Sequence, residues 1–161
     1  MSKKKSSNLG LLLNVGVIVG LVLLIVGICL ALWTESALWI SGGVGIFASK
    51  DGFDYAVMGT ICEIVLLVNL VLVALYVCAF CLKYFKVGKF NYAKLMKLLA
   101  IVTLVLTLVA VLLGVLYAVL TTNVQFEGLK TFYVTPAVGF YLMSAGSLVA
   151  GLLGLCASSK K

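Results

Sequence analysis

Histidine and arginine are absent from this chain of 161 residues, it has one proline, and only five acids stand against twelve lysines. Without histidine the chain lacks the commonest general base and the commonest metal ligand. Without arginine it lacks the side chain suited to bidentate phosphate recognition. No cluster of other ligand residues replaces them in the sequence. These absences point away from an enzyme and away from any cofactor or metal. The net charge of +7 is not a nucleic-acid signal either, because the lysines flank apolar stretches and are not interleaved with aromatics on a soluble face.

Charge is also absent over long distances. The segments 6–34, 64–82, 98–126 and 131–159 carry no charged residue, in a chain that is 64% hydrophobic. Apolar runs of about 18 or more residues mark bilayer spans, and each of these is long enough to cross a hydrocarbon core of ~30 Å. Little chain remains for a soluble domain. The expected fold is an all-α membrane protein, a single domain over residues 1–161 built as a four-transmembrane-helix bundle. The spans are expected near 9–33, 55–82, 95–120 and 134–157. Loops of 34–54 and 121–133 then lie on one side of the membrane, and a loop of 83–94 on the other.

The charges that remain are sorted by side. Lys3, Lys4 and Lys5 precede the first span, and Lys83, Lys86, Lys89, Lys94 and Lys97 lie around the 83–94 loop. Lys160 and Lys161 end the chain, while Glu35, Asp51, Asp54, Glu63 and Glu127 fall in or beside the other two loops. Basic residues are retained on the cytoplasmic face during insertion. Both termini are therefore expected in the cytoplasm, with the plasma membrane as location, and the lysines are expected to contact anionic inner-leaflet lipids. The basic start followed by an apolar run resembles a signal peptide, but residues 9–33 exceed the ~7–15 of its apolar region, so the segment reads as an uncleaved first span. Trp33 falls where an interfacial aromatic belongs, and Thr135-Pro136 where the fourth helix would start.

The 34–54 loop holds two short apolar segments, 36–41 and 46–49, around Gly42-Gly43-Val44-Gly45. Such a pattern predicts a short β-hairpin with a glycine turn. Trp39 and Phe47 make the loop apolar for an exposed segment, so they are its candidate contact residues, against the bundle itself or against a partner.

Within the spans, helices associate through small residues and a few polar contacts. The candidate packing or assembly positions are Gly16 and Gly20 in span 1, Gly114 in span 3, and Gly146, Ala150, Gly151 and Gly154 in span 4. They serve either the bundle's own packing or self-association. Glu63 is the one charge inside a span, ~9–12 Å below the boundary at ~1.5 Å per residue. An intramembrane carboxylate is by default a functional candidate, although a later start of span 2 would let it lean out to water. Asn14 and Asn69 are the accompanying polar candidates, suited to interhelical hydrogen bonds.

Five cysteines remain. Cys78 and Cys81 have CxxC spacing, but at the lysine-rich, reducing side of the membrane, which argues against redox catalysis. Cys78, Cys81 and Cys156 are juxtamembrane residues on that side and thus candidate acylation sites, with small packing residues as the alternative.

Four spans, a larger first loop with a candidate hairpin, a short second loop, and Ala37-Leu38-Trp39 with Trp33 before it resemble the claudin-like class of four-span (tetraspan) membrane proteins. The Trp39 element looks like the Gly-Leu-Trp of claudin first loops. The cysteine pair that follows it in claudins has no counterpart here. The resemblance is one of architecture and implies a structural role at a membrane rather than a catalytic one. The sequence thus supports a structural or assembly protein that partners itself or other membrane proteins. The alternative is a small ion or proton transport component using Glu63 with Asn69 or Asn14.

Overall fold

The computed structural model describes residues 2–37, 40–45, 56–86, 90–122 and 132–159. Four helices, α1 (Ser2–Ile28), α2 (Ala56–Tyr84), α3 (Tyr92–Thr122) and α4 (Val138–Ser159), account for most of them. Every one contains a stretch long and apolar enough to cross a membrane, and together they make the chain a multi-pass membrane protein. Leu, Val and Ile cover the outward faces, as at Leu12, Val57 and Leu112. That surface suits lipid, which makes no demand for polarity.

The helices alternate in direction. α1 lies along α4, α2 along α3, and α3 along α4, with α1 and α2 more loosely apposed. α2 ends and α3 begins at one end of the bundle. There α2 terminates with Lys86 in the left-handed region at φ 55°, a common way to stop a helix, though glycine is the residue usually found there.

The opposite end carries a small antiparallel sheet of three strands, β1 (Trp33–Ala37), β2 (Ile40–Val44) and β3 (Phe132–Pro136), in the order β2-β1-β3. The sheet corrects three sequence expectations. First, the hairpin of the first loop pairs Trp33 with Val44 and Ala37 with Ile40. The innermost pair is Ala37 and Ile40, so the glycine run is not the turn. Gly42 and Gly43 lie inside β2 opposite Glu35 and Thr34, and a Cβ at Gly43 would sit 2.8 Å from Ala31 Cβ, so close approach is what that position demands. Second, the loop before α4 contributes β3, which pairs with β1 from Trp33–Pro136 to Ala37–Phe132. Third, Thr135-Pro136 ends a strand and does not start a helix. Pro136 lies on β3, an edge strand, where a missing N–H is tolerated.

Span 1 is also shorter than its apolar run. α1 stops at Ile28, and Ala31 and Leu32 turn their carbonyls to the start of α4, accepting from Gly139 N and Ala137 N at 2.9 Å each. The apolar stretch 29–33 therefore reaches the strand as a linker, exposed at Cys29 and Leu30 and buried only at its end. Leu32 and Trp33 are wholly enclosed, so Trp33 is a core residue and not an interfacial one.

Candidate functional site

Trp33 enters the bundle from the base of the sheet and meets three helices. Its indole Nε1 donates to Glu63 Oε1 of α2 at 2.9 Å. Its ring stands edge-on to Tyr117 of α3, with centroids 4.9 Å apart at 82°, and lies tilted against Phe140 of α4 at 5.3 Å. Such aromatic pairs contribute about 0.5–1.5 kcal/mol beyond area burial. Two glycines make the room. A Cβ on Gly114 would lie 2.5 Å from Phe140 Cζ and 3.5 Å from Trp33 Cη2, and one on Gly59 would lie 2.9 Å from Tyr117 Cε1.

Glu63 is 4% exposed, so it faces the interior and does not lean out to water. A carboxylate in that setting is held by the hydrogen bonds it accepts, because burying it without them costs far more than it returns. Here one donor is Trp33, at the root of the sheet. Beside it, Cys62 Sγ donates to the Ala110 carbonyl at 3.2 Å, joining α2 to α3 at the same level.

Two further polar layers lie deeper. In the middle of the bundle Asn69 Nδ2 donates to Thr107 Oγ1 at 3.2 Å, and that hydroxyl donates to the Thr103 carbonyl at 2.7 Å. Towards the 84–92 end, Tyr76 OH shares its proton between Asn14 Oδ1 and the Gly154 carbonyl, both at 3.1 Å, while Asn14 Nδ2 donates to the Gly10 carbonyl at 2.7 Å. Glu63, Asn69 and Tyr76 all occupy the buried face of α2. Between them sit Leu66 and Val73, exposed by 0% and 2%. The polar groups thus form three layers with an apolar side chain between each pair. Glu63, Asn69 and Asn14 each belong to a different layer.

The small residues are used within the chain. A Cβ on Gly20 would lie 2.7 Å from the Gly146 carbonyl oxygen and 2.9 Å from Ala150 Cβ. Gly16 faces the Leu153 side chain, Gly151 faces Leu104 of α3, and Gly154 faces Tyr76 of α2. Gly27 and Gly139 repeat the close approach of α1 and α4 nearer the sheet, with a Cβ on Gly139 2.7 Å from the Gly27 carbonyl.

Cys78, Cys81 and Cys156 are exposed free thiols, as is Cys29, whereas Cys62 is buried. Trp39 and Phe47 lie outside the described residues. No group of histidine, cysteine and acidic side chains able to hold a metal ion occurs among the described residues.

Sequence reasoning singled out Glu63 but missed its partner. Nothing local distinguishes a tryptophan that turns inward from one that rests at the membrane surface. It also missed Tyr76, Thr103 and Thr107. Their signal was present, since Asn69 and Tyr76 are seven residues apart on α2 and the two threonines four apart on α3, which puts each pair on one helix face.

No family model and no curated protein matches this sequence.

Proposed function

We propose that this protein is a non-enzymatic structural or assembly component of the plasma membrane. Both termini are cytoplasmic, the sheet is extracellular, and the protein pairs with copies of itself or with other membrane proteins. A claudin-like tetraspan class is the architecture this reading implies. The observation that carries it is the Trp33–Glu63 bond. The one carboxylate inside a span serves to fasten the sheet to the helices. The sheet is further tied to α1 and α4 through Ala31 and Leu32, so it is a fixed platform. With the glycine seams consumed inside the bundle, what remains to meet a partner is that platform and the lipid-facing surface. The cytoplasmic lysines contact anionic lipid, and Cys78, Cys81 and Cys156 are exposed where acyl chains would attach.

Transport through Glu63 is the second reading, favoured by its burial within the membrane. The apolar layers at Leu66 and Val73 count against it, since they interrupt the polar column twice. Purification in mild detergent with mass spectrometry of co-purifying chains tests the first reading, and a lone monomer would overturn it. Glu63→Gln separates the two. It keeps a carbonyl oxygen for Trp33 and should leave assembly intact, whereas an ion or proton pathway would lose its flux.

A further inference from the structure

The middle polar layer holds two atoms without partners. Asn69 Oδ1 and Ser147 Oγ are buried and accept or donate no hydrogen bond, and both residues are 0% exposed. In hydrocarbon each such atom bears an uncompensated desolvation cost, and no bulk solvent is there to relieve it.

The two belong to one layer. Gly154 of α4 packs on Tyr76 of α2, an added Cβ lying 3.0 Å from Tyr76 Cε2, and on Ala100 of α3 at 3.4 Å. Seven residues return a packed helix to nearly the same face. α2 and α4 run in parallel, so one heptad towards the sheet leads from Tyr76 to Asn69 and from Gly154 to Ser147. α3 runs the other way, and the same step leads from Ala100 to Thr107. The hydrogen bond from Asn69 to Thr107 fixes two of the three members independently. Thr107 cannot relieve Asn69 Oδ1, because its single proton goes to the Thr103 carbonyl at 2.7 Å. On α2 the buried side chains of Leu66 and Val73 lie above and below the layer.

We infer that one water molecule is bound at mid-membrane between α2 and α4, donating to Asn69 Oδ1 and bonding to Ser147 Oγ. A water supplies two protons and two lone pairs, so it satisfies both atoms at once. Buried waters characteristically fill that role between otherwise unsatisfied groups. Exchanging the Asn69 amide end for end would put a donor in place of the acceptor, and the water would serve it equally well.

Water-edited solid-state NMR of the full chain in lipid bilayers tests this. The Asn69 side-chain carbon is assigned by its disappearance in Asn69→Leu. In the wild type it should receive magnetisation from water at short mixing times, while Leu66 and Val73 stay silent. Ser147→Ala, with native melting, should abolish the transfer. A silent Asn69 in the wild type would show the layer to be dry and overturn the inference, with no variant needed. Transfer to Leu66 and Val73 as well would show a water-filled path and overturn the enclosed site. Undiminished transfer in Ser147→Ala would overturn the bridge to α4.

Discussion

Gly20 and Gly146 face each other so closely that a methyl group built on either would stand 2.7 Å from the other's carbonyl oxygen. The contact is backbone against backbone, so no side-chain rotation relieves an intruding atom. It sets the spacing of α1 and α4, the helix pair whose sheet-side ends lead into β1 and out of β3. Gly20→Ala or Gly146→Ala is therefore expected to destabilise by about 1–3 kcal/mol, the usual range for overpacking. Gly10→Ala is the control, since nothing lies within 4 Å of an added Cβ there. It should be neutral or slightly stabilising, as alanine favours the helix. Thermal melts in one detergent compare the three, and equal midpoints would refute the seam.

Trp33→Phe keeps the ring among Tyr117 and Phe140 but removes the N–H that reaches Glu63. The loss is expected to be about 1–3 kcal/mol, the cost of withdrawing a donor from a buried acceptor. Glu63→Gln should cost less, because its side-chain carbonyl still accepts. A double-mutant cycle with Glu63→Leu checks the pairing, and a coupling energy near zero would mean that the bond contributes nothing.

The span count was legible because bilayer thickness writes itself into the length of uncharged runs. The sheet was not. β3 is five residues, Phe132–Pro136, lying directly against an apolar helix, and its pairing with β1 joins segments about a hundred residues apart. No local pattern encodes that. Trp33 was misplaced because the run up to it is apolar throughout, and hydropathy does not distinguish a helix end from a linker. Glu63 stood out because a charge in a span is conspicuous. Tyr76, Thr103 and Thr107 did not, because hydroxyls are common in spans and only packing reveals which ones pair.

Tyr76 ties three helices by one hydroxyl, through Asn14 of α1 and the Gly154 carbonyl of α4. Tyr76→Phe should cost about 0.6–1.7 kcal/mol, in line with interhelical hydrogen bonds measured in membranes. Asn14→Leu should remove much of the same energy, so the two losses should not add. Full additivity in the melting midpoints would show that the bond does not form.

Thiol reactivity should divide the cysteines. Cys29, just past α1, and Cys78, Cys81 and Cys156 on the helices are exposed, while Cys62 is buried with its Sγ against the Ala110 carbonyl. A small thiol reagent, applied to protein in detergent and followed by intact mass, should add four labels to the native state and the fifth only on unfolding. Early modification of Cys62 would mean that α2 and α3 part readily near Glu63.

Topology gives the last test, and its direction follows from the lysines. The 84–92 end is flanked by Lys83, Lys86 and Lys94, whereas the sheet end is fed by the acid-bearing loops. Retention of cations on the cytoplasmic side predicts that the sheet lies outside. Ser41 lies in β2, and Asn91 lies just before α3 at the other end of the bundle. In a background whose five native cysteines have been replaced, a cysteine introduced at Ser41 should react with an impermeant maleimide on intact cells. One at Asn91 should react only after the membrane is opened. The reverse pattern would turn the molecule over, and with it the assignment of Glu63 to the extracellular side of its span.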